Sequence, residues 1–113
     1  MGNNRRAGHS YERQLAQEFR EIGFVDCVTS RAESKTRDDQ GVDLMNTGPL
    51  NVQAKRYKAA PSYHAVLDAM PEEKGQINCI FHKRPHKGEV VVMGKADFME
   101  LVEMLKTEGI WKG

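Results

Sequence analysis

The chain has 113 residues, 39% hydrophobic and 29% charged, enough for one domain with a modest core. No run approaches the ~20 apolar residues that a membrane-spanning helix needs, and the apolar residues fall into periodic runs that a disordered chain lacks. Basic side chains number 17 and acidic ones 16, a net charge of +1, so any nucleic-acid surface has to come from segregated charge rather than from a polycation.

Residues 1–9 are polar and basic and read as a flexible arm. They hold no apolar segment of the kind a signal peptide needs, so a cytoplasmic location is expected. From Ser10 onward Tyr11, Leu15, Phe19 and Ile22 recur at spacings that place them on one helical face. Gly23 follows at the stop position, and Glu12 lies beside the stripe, at the edge between core and solvent. Residues 24–30 are rich in β-formers and read as a strand, and 31–40 as a polar loop. Residues 41–46 are apolar apart from Asp43, a second strand, and Asn46-Thr47-Gly48-Pro49 is a turn signal. Residues 50–56 then alternate, Leu50, Val52 and Ala54 against Asn51, Gln53 and Lys55, which predicts a half-buried strand and makes 41–56 a hairpin.

Pro61-Ser62 opens a second helix whose apolar side is Tyr63, Val66, Leu67 and Met70, and Pro71 ends it. Residues 77–82 and 89–93 are two further strands, joined by a polar loop at 83–88. Asp97 and Glu100 form a capping-box-like start for a last helix carrying Phe98, Leu101, Val102 and Leu105. The order is helix, three strands, helix, two strands, helix, an α/β arrangement with helices covering a mixed sheet in a single domain. Cys27 and Cys79 lack metal-ligand spacing and read as buried free thiols.

The pattern with most chemical content is Asp43 followed by Gln53-Ala54-Lys55. Gln53 and Lys55 are two apart and share a face, so a carboxylate, an amide oxygen and an ammonium converge, with the Ala54 carbonyl between them. Oxygen ligands of this kind suit Mg²⁺, which polarises a phosphodiester and lowers the pKa of bound water. Lys55 could hold that water or offset transition-state charge, and Glu12 could reach the same metal if its helix packs beside the sheet. The polar face of an alternating strand is ordinarily just solvated. What singles this one out is Asp43, an acid between Val42 and Leu44 in an otherwise apolar strand, a residue type depleted there and seldom buried without a partner.

Glu12, Gly41-Val42-Asp43 and Gln53-Ala54-Lys55 together resemble the PD-(D/E)XK nuclease superfamily, and more narrowly the small Holliday junction resolvases of archaea and bacteriophages. The opening Arg5-Arg6-Ala7-Gly8-His9-Ser10-Tyr11-Glu12, Gly23-Phe24 after the first helix and Ser30-Arg31 after the first strand fit as well. The resemblance spans the order of elements over nearly the whole chain, with its specific motifs in residues 5–58. It implies a restriction-endonuclease-like core. It also implies a homodimeric, Mg²⁺- or Mn²⁺-dependent endodeoxyribonuclease that cuts four-way DNA junctions symmetrically and leaves 5′-phosphates, in the bacterial host cytoplasm if phage-encoded. Asp43 matches the metal-bridging acid, Lys55 the catalytic lysine, Glu12 the helix acid and Ser30 a hydroxyl near the scissile phosphate. Gln53 departs from the usual Glu or Asp; its oxygen ligates without formal charge, so weaker metal binding is expected. The alternatives are a flap or general DNA nuclease of the same superfamily, or a non-catalytic DNA-binding protein with a degenerate site.

Residues 5–58 hold ten basic and eight acidic side chains. Arg5, Arg6, Arg13, Arg31, Lys35, Arg37, Arg56 and Lys58 are the candidate phosphate contacts, and a bound cation would turn their face positive. Asp38 and Asp39 could add charge near the site but read more simply as loop residues. No motif reads base edges, in keeping with recognition of junction shape. His9, His64, His82 and His86 offer a competing acid/base pair for metal-free RNA cleavage, although nothing fixes their geometry. Tyr57 could stack on a nucleotide, and Tyr63 fits core packing. Trp111 is expected to cap the core or a dimer contact. Met99, Val102 and Met104, or the strand at 90–93, are candidates for the dimer interface.

Overall fold

A computed structural model describes residues 2–57 and 62–112, with the side chains of 2–5 and 7 excepted. The first helix, α1, runs Gly2–Ile22, so the described part of the expected N-terminal arm is helical. Its buried face is Tyr11, Leu15 and Phe19, widened by Glu12 and Ala16. Ile22 departs from the expected stripe and is 76% exposed. The helix nevertheless stops at Gly23, as the sequence predicts. Phe24 N–H donates to Phe19 O at 3.0 Å and Gly23 N–H to Arg20 O at 3.1 Å, the paired bonds of a Schellman cap. Gly23 has positive φ, and the Phe24 ring folds back edge-on to Phe19 at 5.8 Å.

The strands expected at 24–30 and 41–46 shrink to β1 (Val28–Thr29) and β2 (Leu44–Met45), an antiparallel pair. Residues 24–27 turn instead, with Cys27 N–H bonded to Phe24 O at 3.0 Å. Arg20 Nη1 then donates to Cys27 O at 2.7 Å, occupying a carbonyl that a longer strand would have used. Between β1 and β2 the expected loop is two short helices, α2 (Ser30–Glu33) and α3 (Lys35–Asp39). Ser34 caps α3 by accepting from Arg37 N–H, a cap that requires no apolar periodicity.

A three-stranded mixed sheet follows, in the order β3 (Leu50–Arg56), β4 (Ile77–Arg84), β5 (Gly88–Met93). β3 and β4 are parallel, with Val52 opposite Cys79 and Lys55 opposite His82. Parallel neighbours need a crossover, and α4 (Tyr63–Asp68) lies within it. β4 and β5 are antiparallel. The last helix, α5, runs Lys95–Thr107 from Gly94 with no side-chain cap. Asp97 sits in its first turn rather than at its cap, so the expected capping box does not form. Among the described residues no helix is long and apolar enough to cross a membrane.

The core lies between α1 and one face of the sheet. Tyr11, Leu15, Ala16, Phe19, Cys27, Leu44, Val52 and Cys79 pack there, with Leu50, Ala54, Phe81 and Met93 against them. Both cysteines are buried free thiols, and burial pushes the Cys79 thiol up to about 12. Leu15 is 1% exposed, and truncating such a side chain costs about 2–5 kcal/mol. Leu15→Ala is therefore expected to lower the unfolding free energy by that amount, read as a fall in the urea midpoint at an unchanged denaturant slope.

The other face of β3 is not simply solvated. Asn51 is 2% exposed. It donates to Glu73 at 3.1 Å and to Asn78 at 3.0 Å, and accepts from Arg37 at 3.2 Å. His82 is fully buried on this side, with Nδ1 2.7 Å from the Tyr63 hydroxyl and Nε2 3.2 Å from Tyr57 O. Both of its ring nitrogens are engaged, whereas His86 is exposed in the β4–β5 turn, so these two do not form an acid/base pair. Trp111 stays 49% exposed and does not cap the core.

Candidate active site

Asp43 sits where three segments cross. Its N–H donates to Val52 O at 2.7 Å, and its carbonyl accepts from Ser30 N–H at 2.8 Å. Its carboxylate Oδ2 accepts from Ala54 N–H at 2.8 Å. The expected hairpin of 41–46 with 50–56 is not a continuous ladder, because the chain peels away at Gly41, whose N–H turns to Asp38 O at 3.1 Å. The carboxylate thereby takes an amide on the β3 edge that a regular antiparallel partner would have met with a carbonyl. This explains how an acid is tolerated between Val42 and Leu44.

Where the edge opens, Gly8, His9, Glu12, Asp43, Gln53, Ala54, Lys55, Arg56 and Tyr57 line a cavity of about 220 Å³. Glu12, Asp43, Gln53, Ala54 and Lys55, singled out from the sequence, thus share one concavity. A neighbouring cavity of about 370 Å³, walled by Ala65, Val66 and Ala69, shares Gln53 and Lys55 with it. Gln53 lies flat over Gly41: a Cβ there would come 3.2 Å from Gln53 Oε1, and the φ of +80° already favours glycine. The Lys55 ammonium stands 5.7 Å from the centre of the Tyr57 ring, a cation–π contact.

The two acids are under electrostatic pressure. Burial pushes the Asp43 carboxyl up to about 7; the Ala54 N–H works against this, the charges on Glu12 and Asp38 add to it, and Lys55 opposes it. Burial likewise raises Glu12 above the usual carboxylate range, opposed by Arg31. Arg31 Nη2 donates to both Glu12 oxygens at 3.1 Å. Asp38, on α3, therefore acts on both acids, while Asp39 pairs with Lys35 at 2.8 Å.

The candidate phosphate contacts divide. Arg56 lines the cavity, Arg6 and Arg13 are exposed on α1, and Arg31 is held by Glu12. Arg37 is directed elsewhere, to Glu73 at 3.0 Å and to Asn51. The side chain of Arg5 and all of Lys58 lie outside the described residues. Ser30 is fully buried, its hydroxyl has no partner among the described residues, and it does not line the cavity, so the expected place beside a phosphate is not where the structure puts it. His9, read from the sequence only in the opening motif and as one of four histidines for acid/base cleavage, also lines this cavity. It lies three before Glu12, hence on the same helical face, a signal that only a helix reaching back beyond Ser10 makes visible.

No three His, Cys, Asp or Glu side chains among the described residues stand together as a metal-holding group. A cation in this cavity would rely on two carboxylates, Glu12 and Asp43, with neutral oxygens from Gln53 and the Ala54 carbonyl. Such an all-oxygen set fits Mg²⁺ or Mn²⁺, which bind through one or two carboxylates and retain water. Compared with protein-family models, with curated proteins and with solved structures, the chain matches none.

Proposed function

We propose that the protein is a metal-dependent endodeoxyribonuclease acting on branched DNA, with a restriction-endonuclease-like core. The observation that carries this reading is the meeting of Glu12, Asp43, Gln53, Ala54 and Lys55 in one cavity at the open edge of β3. Glu12, Asp43, Gln53 and the Ala54 carbonyl would hold Mg²⁺ or Mn²⁺, which when bound polarises a phosphodiester and acidifies a water. The Lys55 ammonium orients the attacking water and offsets charge on the phosphoryl oxygens. The Ala54 N–H fixes the Asp43 carboxylate, leaving its second oxygen for the cavity. Arg56 and the exposed Arg6 and Arg13 supply phosphate contacts, and Tyr57, 46% exposed, offers a ring face to a base.

A homodimer, symmetric cuts leaving 5′-phosphates and a cytoplasmic location belong to the same proposal. In support of the dimer, Val90, Val91, Phe98 and Met99 are about half exposed and no described residue of α5 is buried, apolar surface that a second copy would cover. A junction of near two-fold symmetry matches two sites related by a two-fold axis.

The deciding experiment is cleavage of a synthetic four-way junction with Mg²⁺ or Mn²⁺ and with EDTA. Paired cuts that EDTA abolishes support the proposal. Equal cutting of duplex, flap and junction points to a general nuclease, and tight binding without cutting to a binding protein. Gln53→Glu adds a negative ligand and is expected to lower the Mn²⁺ concentration for half-maximal cutting by about tenfold. An unmoved metal dependence would take Gln53 out of the ligand set.

A further inference from the structure

We propose that Arg31 is an exchangeable counter-charge: it holds Glu12 in the cation-free protein, releases it to a divalent ion, and passes its guanidinium to a DNA phosphate. This deepens the nuclease reading and rests on it. The pair is asymmetric in a way that favours exchange. The Glu12 side chain is 8% exposed and that of Arg31 37%, so the guanidinium can leave at little desolvation cost while the carboxylate stays buried. The contact is made by a single nitrogen shared between two oxygens at 3.1 Å, longer and less directional than the two parallel bonds of a guanidinium–carboxylate fork. Glu12 also shares its surroundings with the charges of Asp43 and Asp38. A buried acid so placed cannot give up Arg31 without another cation arriving, because an unpaired buried charge is strongly destabilising.

The backbone keeps Arg31 within reach for the second half of the exchange. It follows Ser30, whose N–H is bonded to Asp43 O at 2.8 Å. The short helix α2 is therefore tied to the candidate site, while the exposed side chain can swing between the acid and a phosphate. Free protein and substrate complex would each present Glu12 with one positive partner, and the positive charge that metal binding frees would serve DNA binding.

The test is Mn²⁺ titration of the full chain without DNA, followed by electron paramagnetic resonance, for wild type, Arg31→Gln, Arg31→Lys, Glu12→Gln and the Glu12→Gln/Arg31→Gln double variant. Arg31→Gln is expected to tighten Mn²⁺ about tenfold. Arg31→Lys, which keeps the charge but not the planar guanidinium, is expected to lie between it and wild type. Within Glu12→Gln, the arginine change is expected to move the affinity less than about twofold, since the coupled partner is gone. With Ca²⁺ present, Arg31→Gln is expected to weaken junction binding and reduce the salt slope by about one, and in EDTA, where Arg31 rests on Glu12, to change the slope much less. Wild type binding Mn²⁺ and Arg31→Gln binding it no tighter would overturn the exchange while leaving the metal site standing. Equal tightening in both Glu12 backgrounds would also overturn it, as a general charge effect. No Mn²⁺ binding by either wild type or Arg31→Gln would overturn both readings.

Discussion

Asp43→Asn is expected to abolish junction cleavage and, in EDTA at neutral pH, to make the protein more stable than wild type. The two effects share one cause. Burial and the neighbouring acids raise the Asp43 carboxyl from 3.8 to about 7, so the fold prefers its protonated form. A group with a raised folded-state pKa favours the native state fully below its unfolded value and loses that contribution as pH climbs. Wild-type stability in EDTA should therefore fall between pH 4 and pH 7 and a little beyond. Asparagine does not titrate and keeps an oxygen for the Ala54 N–H. The difference should be small near pH 4 and on the order of 2–4 kcal/mol above pH 7, read as a difference in urea midpoints. Divalent ions should reverse the ranking, raising the melting temperature of wild type by mass action and leaving Asp43→Asn unmoved. Near-normal turnover by Asp43→Asn would end the site assignment, and a wild-type stability curve flat from pH 4 to pH 7 would remove the electrostatic account.

Lys55→Ala is expected to slow single-turnover cleavage by roughly 10²–10⁴-fold, the range for losing one preorganised charge that faces a developing anion. Junction binding in EDTA should change only a few-fold, because Arg56 and the exposed arginines of α1 remain. Stability should hardly move, since the side chain is half-buried and its contact with the Tyr57 ring is modest. Lys55→Arg should recover little, because a planar fork cannot occupy the place of a compact ammonium. The strand beneath is braced: His82 lies opposite Lys55 on β4 and holds Tyr57 O through Nε2. A Lys55→Ala protein that cuts junctions at the wild-type rate would remove the lysine from the chemistry.

Much of the candidate site was legible because its residues break local rules. An aspartate between Val42 and Leu44, and a Gln-Ala-Lys run on an alternating strand, are visible with no knowledge of the fold. The structure brings them together, with Glu12, through the crossing at Asp43. The role given to Ser30 rested on its neighbours in sequence, and burial of its hydroxyl takes it out of the cavity. Arg37 had the right charge in the right stretch, but Glu73, thirty-six positions away, holds it elsewhere.

From the order of residues alone came the α/β class, helix α1 from Ser10 to its stop at Gly23, strands β3, β4 and β5, the buried free cysteines, and the acids and lysine of the candidate site. Each leaves a local trace, because burial of one face imposes a period of 3.6 on a helix and 2 on a strand. Only the tertiary structure decided that β1 and β2 hold two residues each, that 30–39 is helical, that the polar face of β3 is covered at Asn51, and that Arg31 rests on Glu12. Those features depend on individual polar bonds, such as Arg37 N–H to Ser34 Oγ, Arg20 to Cys27 O and Ser30 N–H to Asp43 O. A hydrogen bond needs one donor and one acceptor brought within about 3 Å, and that requirement imprints no period on the chain.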